Sequence, residues 1–175
     1  MSKKKLVDHR KALADAGDEA YTYEIKHNMA KLRRTLAWHL TKAGFRHLTS
    51  KKHQETMEKV IRLLFAAQDG RPMFHVEGTQ LPLCWNVPQD WDKNYIRYEW
   101  GHLLSRNQNP DSSHAAENLA LYSARCNRHI QTSMDIQELM IYGGILAGRI
   151  SHVLTNRRSL FASDEWKGCL AALRT

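Results

Sequence analysis

The sequence predicts an α+β protein in which two basic helices, a short β-rich segment and further helices follow one another. Apolar residues recur every three or four positions before residue 70 and again after residue 134, as they do in amphipathic helices. Between these regions, aromatic and β-branched residues alternate with Gly, Pro and Asn, which is typical of short strands and turns. With 175 residues, 42% of them hydrophobic, the chain can bury a core. We therefore divide it into regions 1–70, 71–134 and 135–175.

The N-terminal region contains two predicted helices. The first runs from about Asp18 to Ala43 and is expected to stop at Gly44, because glycine accepts the left-handed conformation that ends a helix. The second can be capped by Thr49 or Ser50 and is expected to end before the turn-forming sequence at 69–72.

The net charge of +8 lies entirely in this region. Residues 1–62 contain 15 Lys+Arg against 7 Asp+Glu, a surplus of 8, and the remaining residues contain 11 of each. Such a surplus suits a polyanion such as nucleic acid, although a well-solvated surface explains it equally well. The two helices therefore either form a structural layer or present basic side chains, including Arg33 and Arg34, to DNA.

The cysteines and the lengths of the apolar runs indicate the cellular environment of the protein. Cys84, Cys126 and Cys169 are widely spaced and form no C-x-x-C pair, so neither a disulfide framework nor a structural zinc site is expected. A reducing, cytoplasmic environment fits this pattern. No apolar run approaches the ~20 residues that span a bilayer, and no secretory signal follows the basic start, so no membrane association is expected.

The central region is predicted to contain short strands bounded by turn formers, at 73–76, 83–87 and 94–100. A polar loop at 105–113 separates them from a returning strand at 118–122 and a helix that runs from Ser123 to about Gln131.

The C-terminal region is predicted to be helical. Asp135 and Glu138 have the spacing of a capping box that opens a helix, and Gly143-Gly144 is expected to weaken or break it. A last short helix is expected near 163–173.

The stretch 98–131 carries the residues best suited to chemistry. His102 follows a predicted strand, Asn118-Leu119 comes 16 positions later, and Cys126-Asn127 places Asn127 nine positions after Asn118. These residues and spacings resemble the HNH nucleases, also called His-Me finger nucleases, in which a β-hairpin and a helix clasp one divalent metal. The resemblance covers about 35 of the 175 residues and implies a ββα-metal core at 71–134.

Phosphodiester hydrolysis has a use for each of these residue types. A neutral imidazole, whose ordinary pKa is about 6.5, can take a proton from water near pH 7. Mg²⁺ prefers oxygen ligands and needs only one or two from the protein. The resemblance implies that His102 is the general base, that Asn118 braces the loop, and that Asn127 binds one Mg²⁺ or Mn²⁺ ion.

The residue before His102 departs from the family pattern. Many HNH nucleases have an acidic metal ligand there, whereas this chain has Gly101. The nearest acid lies in Glu99-Trp100-Gly101-His102, which resembles the Asp-Arg-Gly-His motif of the non-specific DNA/RNA nucleases of the same superfamily. There the helix asparagine is the main ligand. Glu99 is thus a second candidate ligand, directly or through water, although strand alternation places it opposite His102.

Three arginines near the motif, Arg106, Arg125 and Arg128, either bind DNA phosphates or serve solubility. His114, in the polar loop, is expected to be structural or exposed. The resemblance implies a metal-dependent endonuclease acting on double-stranded DNA, of a restriction, defence, phage or homing type, and compatible with a homodimer. Two alternatives stay open: a sugar-non-specific nuclease or toxin, and a DNA-binding module without catalytic activity.

Overall fold

The computed structural model describes residues 20–75, 98–105, 107, 109–129, 135–142 and 144–175, and it has an α+β fold. Within these residues, two N-terminal helices precede a two-stranded antiparallel hairpin, and four further helices follow it. The helices are α1 (Ala20–Lys42), α2 (Lys51–Ala66), α3 (Ala124–His129), α4 (Ile136–Tyr142), α5 (Ile145–Ala162) and α6 (Asp164–Ala172). The strands are β1 (Tyr98–His102) and β2 (Leu119–Ser123), with a 3₁₀ turn at Ala116–Asn118 before β2.

The N-terminal helices end and begin where the local signals indicate. Gly44, just after α1, has a φ of +90°. Ser50 caps α2, because its side chain accepts a hydrogen bond of 3.2 Å from the backbone N–H of His53. Gly70 follows α2 with a φ of +64°. The predicted stop at Gly44 and the predicted cap at Ser50 are confirmed.

The prediction of a strand at 73–76 is wrong for the residues that the structure describes. Residues 73 and 74 lie in a turn after α2. Met73 and Phe74 are fully buried, and the Met73 N–H donates to the Leu121 carbonyl at 2.9 Å. Their apolar character reflects this burial, which a short apolar run does not distinguish from strand pairing. The predicted strand at 83–87 lies outside the described residues.

The hairpin extends to the histidine of the motif. Tyr98 lies opposite Ser123 and His102 lies opposite Leu119, so β1 continues two residues beyond its predicted end at 100. Beyond His102, the Leu103 N–H donates to the Asn118 carbonyl at 2.8 Å. The hairpin therefore fixes both ends of the loop between 103 and 118.

The hairpin separates two hydrophobic clusters. On one side, Tyr98, Trp100 and Leu121 pack with the apolar faces of α1 and α2 and with Trp166 of α6. On the other side, Ala120 and Tyr122 belong to a cluster that includes Phe74, Cys126, Ile136, Leu139, Leu146, Ile150 and Val153. Because successive strand residues point to opposite faces, β2 contributes to both clusters, whereas Tyr98 and Trp100 of β1 belong to the first. The N-terminal helices thus form a structural layer against β1, and Cys126 is a core residue.

The C-terminal helices follow the predicted local signals. The Asp135 N–H donates to the Glu138 carboxylate and the Glu138 N–H to the Asp135 carboxylate, both at 2.8 Å, which is a complete capping box. Gly144, with a φ of +48°, separates α4 from α5. Among the described helices, none has the length and apolar composition needed to cross a bilayer.

Candidate active site

Asn118 ties together the loop that directly follows His102. Its Oδ1 accepts a hydrogen bond of 2.9 Å from the Leu104 N–H, and its Nδ2 donates to the Leu104 carbonyl at 3.1 Å. The same Nδ2 donates to the Ser113 carbonyl at 3.3 Å. Because the side chain both accepts and donates, an amide suits this position and a carboxylate does not. Asn118 is buried, so these bonds fix the backbone next to His102.

Asn127 connects α3 to β1. Helix α3 begins directly after β2, and the Ser123 hydroxyl accepts a hydrogen bond of 3.3 Å from the Cys126 N–H in its first turn. The Asn127 Nδ2 donates to the Trp100 carbonyl at 3.3 Å and lies 3.5 Å from a carboxylate oxygen of Glu99. The Oδ1 of this amide is an acceptor and is the atom of Asn127 that could serve as a cation ligand.

Glu99 pairs with two cations. The Arg128 Nη2 lies 2.7 Å from its carboxylate, and the Lys31 Nζ of α1 lies at 3.4 Å. Burial alone would raise the pKa of Glu99, but the bond and charge of Arg128, the charge of Lys31 and the Asn127 amide outweigh it, so the pKa lies below its ordinary value. The carboxylate is therefore ionised, and its charge is balanced by Arg128 and Lys31. A metal would have to compete with Arg128 for it. Asn127 is the better placed of the two candidate ligands.

His102 lies among histidines that the sequence reasoning did not associate with it. Its ring centroid is 5.2 Å from that of His39 on α1 and 6.2 Å from that of His114 in the loop. The Nδ1 atoms of His39 and His114 are 3.0 Å apart. One ring nitrogen from each of the three residues lies within 4.8 Å of the others.

One signal for this cluster was present in the sequence. His39 lies seven residues after Leu32 and three after Leu36, so it falls on the apolar face of α1, where a polar residue is unusual. It is only 4% exposed. His114 carries no comparable signal, and its prediction as a structural or exposed residue did not foresee a contact with α1.

The two groups suit different cations. The Asn127 amide oxygen is a hard ligand, and Mg²⁺ can be bound by one such oxygen together with water and phosphate oxygens. Imidazole nitrogens suit zinc, copper or nickel better than magnesium. The Asn127 oxygen is thus a candidate magnesium ligand, while the three histidines could hold a transition-metal ion.

The arginines predicted to bind DNA have varied surroundings. Arg128 is half exposed and pairs with Glu99. Arg33 pairs with Glu58 of α2, which joins the two N-terminal helices, whereas Arg34 is exposed on α1. Arg106 and the side chain of Arg125 lie outside the described residues.

The predicted site residues therefore fall into two groups along β1. Asn127, Glu99 and Arg128 contact one another on one side, and His102 contacts the histidines on the side that faces α1. Asn118 holds the loop between them.

Comparisons of the chain with protein-family models, with curated proteins and with solved structures found no match.

Proposed function

We propose that this protein is a metal-dependent DNA endonuclease whose ββα-metal core consists of β1, β2 and α3. One observation carries the proposal: both asparagines of the motif hold the backbone that flanks His102. Asn127 bonds to the carbonyl of Trp100, two residues before His102, and Asn118 bonds to Leu104, two residues after it. This arrangement fixes the backbone on both sides of His102, as a positioned general base requires.

Asn127 bonds to the backbone two residues before His102, which is about 7 Å along β1. The proposal requires one phosphate and its attacking water to contact both a metal at Asn127 and the imidazole of His102, which lie on different sides of β1. His102 and Asn127 are both partly exposed, while the Nε2 atom of His102 is itself buried.

In the proposed reaction, each residue of the site has a separate role. His102 accepts the proton of the attacking water, and the hydrogen bonds of Asn118 hold the loop that begins directly after this imidazole. Asn127 would hold the divalent metal, Mg²⁺ or Mn²⁺, which would supply positive charge to the phosphate and the leaving oxygen. Glu99, fixed by Arg128 and Lys31, positions Asn127 by accepting from its Nδ2.

Double-stranded DNA is the substrate that the charge distribution supports. The surplus of basic residues lies in the N-terminal region, where Lys31, which pairs with Glu99, and Arg34 are both exposed on α1. Basic side chains on this helix can contact phosphates without reading the sequence.

The test is cleavage of supercoiled plasmid with Mg²⁺ or Mn²⁺, with and without EDTA, by the wild type and by Asn127→Ala and Asn127→Asp. We expect metal-dependent cleavage by the wild type, a higher metal requirement in Asn127→Ala, and partial recovery in Asn127→Asp, which restores an oxygen ligand. A structured RNA is assayed in parallel.

Two other outcomes would replace the proposed function with one of the alternatives. Equal cleavage of RNA and DNA would replace the proposal with a sugar-non-specific nuclease. Salt-sensitive DNA binding without cleavage under any divalent ion would replace it with a DNA-binding module that lacks catalytic activity.

A further inference from the structure

We propose that His39, His102 and His114 form a binding site for a transition-metal ion of the Zn²⁺ class, distinct from the Mg²⁺ position at Asn127. The three residues come from α1, from the end of β1 and from the loop before β2. Among the described residues, they are the one group of His, Cys, Asp or Glu side chains compact enough to share an ion.

The geometry needs little adjustment to hold such an ion. Zinc–nitrogen bonds are about 2.0–2.1 Å, so the nitrogens of two histidines in a tetrahedral site lie roughly 3.4 Å apart. The Nδ1 atoms of His39 and His114 are already 3.0 Å apart, and one nitrogen from each of the three rings lies within 4.8 Å of the others. The half-buried His114 belongs to a loop, where a modest side-chain rotation can close the remaining gap.

The site is held in place by contacts that do not involve the histidines themselves. The Trp100 indole N–H donates to the Leu32 carbonyl of α1 at 2.9 Å, and this bond is buried. Leu32 and His39 are seven residues apart, which is two helical turns, so they lie on the same face of α1. Trp100 and His102 are two apart and share a face of β1. The bond at Trp100 therefore places His39 opposite His102.

The chemistry of the cluster favours a borderline metal. Imidazole is the preferred nitrogen ligand for zinc, copper and nickel, and three imidazoles leave a fourth position for water or an anion. His39 is buried and Trp38 packs edge-on against the rings of both His39 and His114, at 4.8 and 5.2 Å. An ion here would link α1, the hairpin and the loop.

Occupancy of this site has a consequence that rests on the proposed function. A metal bound to a ring nitrogen of His102 takes the lone pair that would accept the proton of water. Zn²⁺ bound here should therefore inhibit cleavage that Mg²⁺ supports, and removing it should restore the activity.

The experiment measures Zn²⁺ binding by calorimetry on the whole protein, comparing the wild type with His114→Ala and His39→Asn. His152→Ala is the matched control, since His152 is exposed on α5 and pairs with Asp69. We expect one Zn²⁺ per chain in the wild type and in the control. In His114→Ala the affinity should fall by more than about 100-fold, because even the loss of a residue that merely orients a ligand costs 10–100-fold.

Two further measurements keep the outcome decisive. Co²⁺ added in place of Zn²⁺ should give the visible absorption of a tetrahedral site in the wild type and lose it in His114→Ala, whose folding is checked by circular dichroism. Equal Zn²⁺ affinity in the wild type and in folded His114→Ala would overturn the site. If Zn²⁺ binds as expected but the protein cuts no DNA, the site stands and the proposed nuclease function fails.

Discussion

The two sides of β1 differ in how their polar groups are satisfied. On one side, Glu99 is a charged carboxylate neutralised by Arg128 and Lys31. On the other side, His102 meets the imidazoles of His39 and His114. Pairs of opposite charge fix positions and leave little charge for a ligand, whereas clustered imidazoles retain the capacity to exchange protons or to bind metals. We infer that the Glu99 side mainly positions Asn127, and that the histidine side supplies the reactive nitrogen.

Removal of the Asn118 side chain, which holds the loop between the two sides of β1, is expected to have the largest effect on stability. Asn118→Ala removes the partners of the Leu104 N–H and of the Leu104 and Ser113 carbonyls. An unsatisfied backbone group in a buried position costs about 1–3 kcal/mol, so the free energy of unfolding should fall by about 2–4 kcal/mol in urea denaturation. Asn107→Ala, at an exposed position of the same loop, is the control. A loss in Asn118→Ala no larger than in this control would show that the loop does not depend on Asn118.

The contact between α1 and the histidine side is expected to carry an intermediate effect. Trp100→Phe keeps an aromatic ring but removes the hydrogen bond to the Leu32 carbonyl, which should lower the free energy of unfolding by about 1–2 kcal/mol. Trp38→Phe, at a position that is 47% exposed, should change it by less than about 0.5 kcal/mol. Chemical denaturation measures both, and the reverse order would contradict the role of Trp100 as the anchor of α1.

The ion pairs of Glu99 are expected to carry the smallest effect, which should depend on pH. Because the pKa of Glu99 is below its ordinary value in the folded protein, the pairs stabilise the fold above the ordinary carboxyl pKa, and this contribution is lost as pH falls through the folded-state pKa. Glu99→Gln should lower stability at pH 7 by about 0.5–1 kcal/mol, since Arg128 and Lys31 are about half exposed.

Denaturation of the wild type and Glu99→Gln at several pH values measures this difference. It should shrink as the solution becomes more acidic and should also shrink at high salt. A difference that grows toward acidic pH would mean that burial, and not pairing, controls Glu99.

The local features of the fold were the easiest to predict from the sequence. These features are the stop at Gly44, the cap at Ser50 and the capping box of Asp135 and Glu138. Each acts through neighbouring backbone atoms, so the four or five residues around it are enough to predict it. The turn at 73–74 was mistaken for a strand because its burial depends on β2, which lies more than 40 positions away in sequence.

The candidate site was predictable only in part, for the same reason. The resemblance carried by residues 102, 118 and 127 implied a hairpin and a helix, and it could be recognised because those residues lie within one short unit of structure. The contact between His39 and His114 spans 75 positions and depends on how α1 packs against β1. The pairing of Glu99 with Lys31 spans 68 positions and depends on the same packing. No local pattern encodes either contact.

The most direct test of the central claim is the rate of plasmid cleavage by His102→Ala at saturating Mg²⁺, beside His152→Ala as the control. A general base contributes about 10²–10⁴-fold to a rate, so His102→Ala should cut at least about 100-fold more slowly while His152→Ala cuts as the wild type does. Cleavage by a folded His102→Ala at the wild-type rate would contradict the assignment of His102 as the base.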